Sequence, residues 1–324
     1  MGDLLAVQNI TQVFGTRKPT FAVDDVSFRM PETASIVNLV GESGSGKSTI
    51  ARIILGLSRP KSGEVTYKGM SIFTRNGGWQ RQFRCECQAV FQDPYSAYNP
   101  FYKIERVLKI SIRKFKLVNN PPEAKARIEE SLRAVDLRPE EILGKYPHQL
   151  SGGQRQRVML ARIHLIRPRL IIADEPVSMV DAGMRATVLN ILMEFQARYN
   201  ISSLFITHDL STARYLGGEI IILYQGRIVE RGETIRVTSQ PLHPYAQLLI
   251  SSIPAPDPDK RWRETLQFAP EAKSSQSQNR ERCLYAERCP HVMEVCWKER
   301  PPLRTSPSQE ASWQVACHLY GGNS

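Results

Sequence analysis

Short apolar runs rich in Val, Ile and Leu recur along the chain, and each stops at a glycine or a polar residue. Residues 36–40 stop at Gly41, 170–173 at Asp174-Glu175, 203–206 at Thr207-His208, and 220–224 just before Gly226. Runs that are apolar at most positions, rather than at every second one, read as buried strands. After Gly41 the period changes: Ile50, Ile53, Ile54 and Leu57 recur at helical spacing. Residues 4–30 alternate in short β-like pieces, 5–7 and 23–28, around a polar turn at 15–19, with Phe14 closing the first piece. Residues 62–65 and Lys68-Gly69 read as a turn and a short hairpin, and Cys85 and Cys87 as strand residues ahead of 89–91. Residues from about 101 to 165 are mainly helical. Pro121-Pro122-Glu123 opens one helix there, capped by Asn120, with Ile128, Leu132 and Val135 as its apolar stripe. Val158, Ala161 and Leu165 mark another that follows Leu150-Ser151-Gly152-Gly153-Gln154.

Strand, glycine-rich loop and helix meet at Gly41-Glu42-Ser43-Gly44-Ser45-Gly46-Lys47-Ser48-Thr49. In that setting G-x-x-x-x-G-K-S is a phosphate cradle. Glycines let successive backbone N–H groups curl inward, and the helix start adds free N–H groups and the positive end of its dipole. Lys47 would reach the β- and γ-phosphates and Ser48 would hold Mg²⁺, so the loop marks a nucleoside-triphosphate site. The other strand ends supply matching chemistry. Asp174 would enter the Mg²⁺ shell and Glu175 would stand beside an attacking water. His208 is placed to contact the γ-phosphate, and the Gln92 amide to reach metal or water. Ser151 with the N–H groups of a helix start could hold an anion. Phe14 is open to two readings, stacking on a base or packing in the core.

At 324 residues, 41% hydrophobic and 23% charged, the chain has the composition of a globular protein of roughly two domains. Its apolar runs are too short to cross a bilayer, and the first residues lack a basic region followed by an apolar core, so the chain is expected to stay in the cytosol. The net charge is +11, but the basic residues are spread along the chain without an aromatic-interleaved block. This reads as a solvated surface rather than a nucleic-acid site. Four of six cysteines fall in the last fifty residues, which in a cytosolic protein favours a metal site over disulfides. A proline-rich then polar connector precedes them.

These motifs, in this order, resemble the ATP-binding subunits of ABC transporters. The resemblance implies an α/β P-loop NTPase cassette, a mixed sheet core plus a helical subdomain at about 101–165. It makes Gly41 to Thr49 the Walker A loop, Gln92 the glutamine loop, and residues 150–154 the signature. Asp174 ends Walker B, Glu175 is the catalytic carboxylate, Asp181 ends the following loop and His208 is the switch histidine. Two cassettes would face head to tail, so that Ser151, Gly152, Gly153 and Gln154 close the partner's ATP site and Asp181 lies at the seam. The family often has Ser-Ala-Leu-Asp where this chain has Ser178-Met179-Val180-Asp181.

Residues 91–100, Tyr146-Pro147-His148 and His243-Pro244-Tyr245 look like the oligopeptide/dipeptide importer branch, as do Arg288-Cys289-Pro290 and Ala316-Cys317-His318. That division places the cassette at 1–253, a linker at 254–280 and a small irregular cysteine-rich extension at 281–324, set apart from the cassette by the linker. Cys283, Cys289, Cys296 and Cys317 are spaced C-x₅-C-x₆-C-x₂₀-C, unlike the tight pairs of structural zinc sites. Four thiolates on an irregular segment suit an iron–sulfur cluster, and the branch implies a 4Fe–4S cluster here; zinc and free or oxidised thiols remain the alternatives. The resemblance further implies an ATPase on the cytoplasmic face of the membrane, with a second cassette subunit, two transmembrane permeases whose docking site is the loop near Gln92, and, indirectly, a solute-binding protein. The rival reading is an ABC ATPase without a membrane partner, acting on nucleic acid or ribosomes.

Overall fold

The computed structural model describes residues 2–16, 19–92, 98–252, 279–308 and 311–321. The linker at 254–278 and residues 93–97 of the glutamine loop lie outside them. In chain order the strands are β1 (Asp3–Phe14), β2 (Thr20–Pro31), β3 (Ile36–Val40), β4 (Ser62–Tyr67), β5 (Met70–Ser71) and β6 (Cys87–Val90). They continue with β7 (Leu170–Asp174), β8 (Ser202–Thr207), β9 (Glu219–Tyr224), β10 (Arg227–Glu233), β11 (Arg304–Thr305) and β12 (Gln314–Val315). The helices are α1 (Lys47–Ile54), α2 (Gly77–Glu86), α3 (Glu105–Phe115), α4 (Pro121–Arg133), α5 (Pro139–Ile142) and α6 (Gly152–Ile166). They are followed by α7 (Ala182–Tyr199), α8 (Leu210–Leu216), α9 (Thr234–Ser239), α10 (Pro244–Ser251) and α11 (Glu294–Lys298).

An eight-stranded mixed sheet, ordered β11-β12-β10-β9-β3-β8-β7-β6, forms the centre. Strands β9, β3, β8, β7 and β6 run parallel, and β10, β12 and β11 continue antiparallel. Every residue of β3 and β8 is buried, as expected of strands covered on both faces, and the polar Asn38 within β3 donates to Gly217 O at 2.7 Å and Glu219 O at 3.1 Å. A second, antiparallel sheet, β2-β1-β4-β5, covers one face across α1, with Leu5, Val26, Ile50, Ile53 and Val65 in the shared core. Lys68 and Gly69, at φ 48° and 74°, make the two-residue turn between β4 and β5 that the sequence predicts. The other face packs on the helical region, where Leu108, Ile128, Leu132, Val135, Val158 and Leu165 share one core. Asn120 caps α4, accepting the Glu123 N–H at 2.8 Å.

Two local readings differ. Leu57 does not join the α1 stripe: the helix ends at Ile54, Gly56 turns at φ 69°, and Leu57 is 62% exposed. Cys85 is helical rather than extended, because Asn76 caps α2 through the Gly78 and Trp79 N–H groups, and Phe83 of α2 packs edge-on against Tyr67.

The C-terminal residues also do not stand apart. β12 pairs with β10 and so adds to the main sheet, and the Ala316 N–H donates to Val229 O at 2.8 Å. Trp313 and Tyr285 enter the core around Tyr224, Tyr245 and Val237, and the Trp313 indole donates to the buried Glu230 carboxylate at 2.9 Å. Asp24 of β2 accepts from Arg227 Nε at 2.6 Å and from Arg280 Nη2 at 2.8 Å, and all three side chains are nearly buried. The joint is not fully filled. A cavity of about 450 Å³, lined among others by Asp25, Arg227, Cys283, Tyr285 and Arg300, lies along it.

Candidate active site

The carboxyl ends of β3, β8, β7 and β6 lie side by side, with Val40 level with Thr207, Asp174 with Ile206, and Val90 with Ala173. The loops leaving those ends carry Gly41, His208, Glu175 and Gln92. Sites of open α/β sheets form at this edge.

Backbone geometry explains the loop's glycines. A Cβ on Gly46, at φ 104°, would sit 2.1 Å from Ala22 O, and one on Gly41, at φ 156°, 2.3 Å from Leu223 O. Lys47 is 6% exposed; its ammonium donates to Gly41 O at 2.7 Å, Glu42 O at 2.8 Å and Ser45 Oγ at 3.3 Å. Burial lowers its pKa below 10.5, against the pull of Glu175, Asp174 and Glu42. The Ser48 hydroxyl donates to Asp174 Oδ1 at 3.3 Å. Burial pushes the Asp174 carboxyl above 3.8, with Ser48 opposing the shift and Glu175 adding to it. Ser43 and Gly44 are exposed at the loop's tip, and Thr49 is half-buried on α1.

Glu175 follows Asp174 with φ 47°, an unusual conformation for a non-glycine residue, held by its N–H donating to Ile206 O at 2.9 Å. The turn aims its carboxylate at His208, whose Nδ1 lies 2.8 Å from Glu175 Oε1. Lys47, Ser48, Asp174, Glu175 and His208 therefore converge. Gln92 is exposed two residues past β6. Phe14 ends β1 and is 51% exposed, so its ring is not in the core.

The signature forms a separate group. Ser151 caps α6, its Oγ accepting the Gln154 N–H at 3.1 Å while Gln154 Oε1 accepts the Ser151 N–H at 3.0 Å. A Cβ on Gly152 would lie 3.6 Å from Met179 O, and one on Gly153 would lie 3.7 Å from Met184 Cγ. The signature thus faces the loop around Asp181, which stands at the N-terminus of α7 and is exposed.

Two families match separate parts of the chain: ABC transporter over residues 23–178, and the oligopeptide/dipeptide transporter C-terminal region over residues 229–296. The putative oligopeptide transport ATP-binding protein YkfD of Bacillus subtilis is 37% identical over 98% of this chain and 95% of its own. The chain belongs to the ATP-binding subunits of ABC transporters. The oligopeptide transport ATP-binding protein OppF of Escherichia coli is 36% identical over 88% of this chain and 85% of its own. Among solved structures, the dimeric cassette MJ0796 bound to ADP and Pi in a post-hydrolysis state aligns with TM-score 0.63 and 28% identity. The alignment covers 71% of this chain and 98% of that one. This ABC subunit binds and hydrolyses ATP, and Mg²⁺ accompanies the nucleotide. No helix among the described residues is long and apolar enough to cross a membrane. Subunits of this kind work with permease components.

The cysteine segment is a different case. Cys283 N–H donates to Cys296 O at 3.0 Å, and Cys317 is close enough to Cys283, Cys289 and Cys296 to feel their charge. Burial pushes the Cys317 thiol up to about 11, against the Leu319 backbone hydrogen bond and with a smaller push from these neighbours. Yet among the described residues no three His, Cys, Asp or Glu side chains are grouped to hold a metal ion. Neither the described residues nor the comparisons support the 4Fe–4S cluster expected on Cys283, Cys289, Cys296 and Cys317.

Proposed function

We propose that this subunit powers the uptake of peptides through two separate permease subunits, as a peripheral protein on the cytoplasmic face of the membrane. The observation that carries the reading is the convergence of Lys47, Ser48, Asp174, Glu175 and His208 in a chain so similar, along nearly its whole length, to named peptide-transport ATP-binding proteins. Lys47 holds the β- and γ-phosphates, and the Gly41–Ser48 loop amides cradle them with Ser43, Gly44, Ser45, Gly46 and Thr49 around the chain of phosphates. Ser48 and Asp174 would hold Mg²⁺, with Gln92 placed to reach its water shell, and its charge would offset the burial that disfavours an ionised Asp174. Glu175 polarises the attacking water, and His208, hydrogen-bonded to Glu175, meets the γ-phosphate. Phe14 offers its exposed ring to the base.

The second site in this reading is made by a partner. Ser151, Gly152, Gly153 and Gln154 lie beside the stretch from Met179 to Met184 that carries Asp181, which suits a head-to-tail cassette pair that closes on two ATP molecules and moves the permeases. A solute-binding protein delivers the peptide. Four soft thiols on an irregular segment suit a 4Fe–4S cluster; bound there, it would tie Cys283, Cys289, Cys296 and Cys317 into one clamp. Fractionation tests the main reading: co-expressed with its permeases, the subunit should pellet with membranes and lose that association when they are omitted. Sedimentation with ribosomes or nucleic acid instead would favour an ABC ATPase without a membrane partner.

A further inference from the structure

Two sequence markers, His243-Pro244-Tyr245 and Arg288-Cys289-Pro290, have no part in the ATP chemistry above, yet they meet on one residue of the phosphate loop. His243, 2% exposed, accepts the Tyr245 N–H on its Nδ1 at 3.0 Å and so starts α10 with Tyr245 turned inward. The fully buried Tyr245 hydroxyl accepts the backbone N–H of Glu42 at 3.0 Å. From the C-terminal side, Arg288 Nη1 lies 3.4 Å from Glu42 Oε2. Arg288 is itself held over the Tyr285 ring at 5.9 Å, and Tyr285 packs edge-on against Tyr224 at 5.2 Å and tilted against Tyr245 at 5.6 Å. The Glu42 carbonyl, in turn, is one of the groups that hold the Lys47 ammonium. Each polar group of Glu42 is thus engaged: the N–H by Tyr245, the carbonyl by Lys47 and the Ser45 N–H, and the carboxylate by Arg288.

We propose that Arg288 is a positioning residue of the ATP site, acting through Glu42 to keep the first turn of the phosphate loop and the Lys47 ammonium in place. The inference rests on the reading of Lys47 as the phosphate-binding lysine. It makes the C-terminal segment part of nucleotide binding. Because Arg288 is the neighbour of Cys289, anything that reshapes the cysteine turn is felt at the phosphate loop. The Arg288–Glu42 pair is partly exposed, so its effect is a matter of a few-fold in affinity. The Tyr245 oxygen is buried, and its loss leaves the Glu42 N–H without its acceptor, a larger effect.

The test uses the full chain, with ATP affinity read by titration of a fluorescent ATP analogue and turnover read in the complex with permeases. Arg288→Gln should raise Kd and KM for ATP about two- to fivefold with little change in kcat. Arg288→Lys should recover part of the loss, and the exchange Glu42→Arg with Arg288→Glu should bind ATP better than either single variant. By reciprocity, ATP should slow hydrogen exchange of residues 283–289 in the unaltered protein and fail to do so in Arg288→Gln. A merely structural Arg288 would lower the melting temperature without splitting KM from kcat and without recovery in the exchange, and either result overturns the proposal. So does an ATP affinity unchanged in Arg288→Gln. Lys47→Ala, run alongside, tests the ATP site itself: loss of binding there with none of these effects at Arg288 overturns the positioning role alone.

Discussion

Replacing Asp24 by asparagine removes the charge that holds the C-terminal residues to the cassette while keeping the side chain's size. Asp24 lies between Arg227 of β10 and Arg280, at 2.6 and 2.8 Å, with side-chain exposures of only 9–11%. Removing one partner of a buried ion pair costs about 3–5 kcal/mol, because the remaining charge is left uncompensated. Asparagine retains an acceptor oxygen, and both arginines also donate to carbonyls, Arg280 to Gln225 O and Arg227 to Arg282 O. The lower end, about 3 kcal/mol, is therefore expected. The loss falls on the joint between β2, β10 and the residue-280 turn, so local release of the C-terminal residues should precede unfolding of the cassette. Exchange of the Ala316 amide, bonded to Val229 O, reports that release. At 1.4 kcal/mol per factor of ten, it should exchange about a hundredfold faster in Asp24→Asn. Acid adds a second signature. Burial alone would raise the Asp24 carboxyl, but Arg227 and Arg280 hold it below 3.8. A folded pKa below the unfolded one means that the stabilisation is full above 3.8 and is lost as pH falls through the lowered value. Asp24→Asn should lack this acid-dependent loss. An Ala316 exchange rate within about threefold of the unaltered protein would refute the reasoning, since a buried, uncompensated pair of guanidinium groups cannot be that cheap.

Three further outcomes are expected, one from the geometry, one from the proposed shared site and one from the proposed cluster. Gly46→Ala should weaken ATP binding at least about tenfold, because its Cβ would collide with Ala22 O in a left-handed backbone. Gly44→Ala meets nothing within 4 Å and should show only the strain of its φ, about 1–2 kcal/mol; equal losses in an ATP titration would contradict the packing argument. Ser151→Arg should leave ATP binding by the isolated subunit intact but abolish ATP-dependent dimerisation; dimers forming normally in sedimentation would contradict the shared site. Protein purified without oxygen should be brown, with about four irons per chain, and Cys289→Ser should bleach it. A colourless preparation holding one zinc would reject the cluster.

Much of the fold could be read directly from the chain. The mostly apolar run at 36–40 reads as a strand buried on both faces, and the glycine loop after it leads into a helix that starts at Lys47. Asn120 caps the helix it precedes as expected, whereas Ser151, read as an anion holder, turns its oxygen to the Gln154 N–H of its own helix. What local pattern could not supply was tertiary. Leu57 has the helical period, but Gly56 ends the helix first. Cys85 precedes a strand, yet it rides on a helix set by the Asn76 cap and by Phe83 packing on Tyr67. The aim of Glu175 depends on a positive φ that its residue type does not advertise. The ties of Asp24 to Arg280 and of Glu42 to Arg288 span about 250 residues of chain, and no periodicity carries such a pairing. They are also why the segment expected to stand beyond a linker packs beside the phosphate loop.

The central claim, that hydrolysis assisted by Glu175 drives peptide uptake, is tested most directly with Glu175→Gln in vesicles containing the permeases, binding protein and a labelled peptide. The amide keeps the size of the side chain and leaves Lys47 and Ser48 in place, so ATP should still bind. It cannot polarise water as a carboxylate does, so hydrolysis and uptake should both fall by at least about tenfold. Near-normal ATP turnover and peptide uptake by Glu175→Gln would contradict the account.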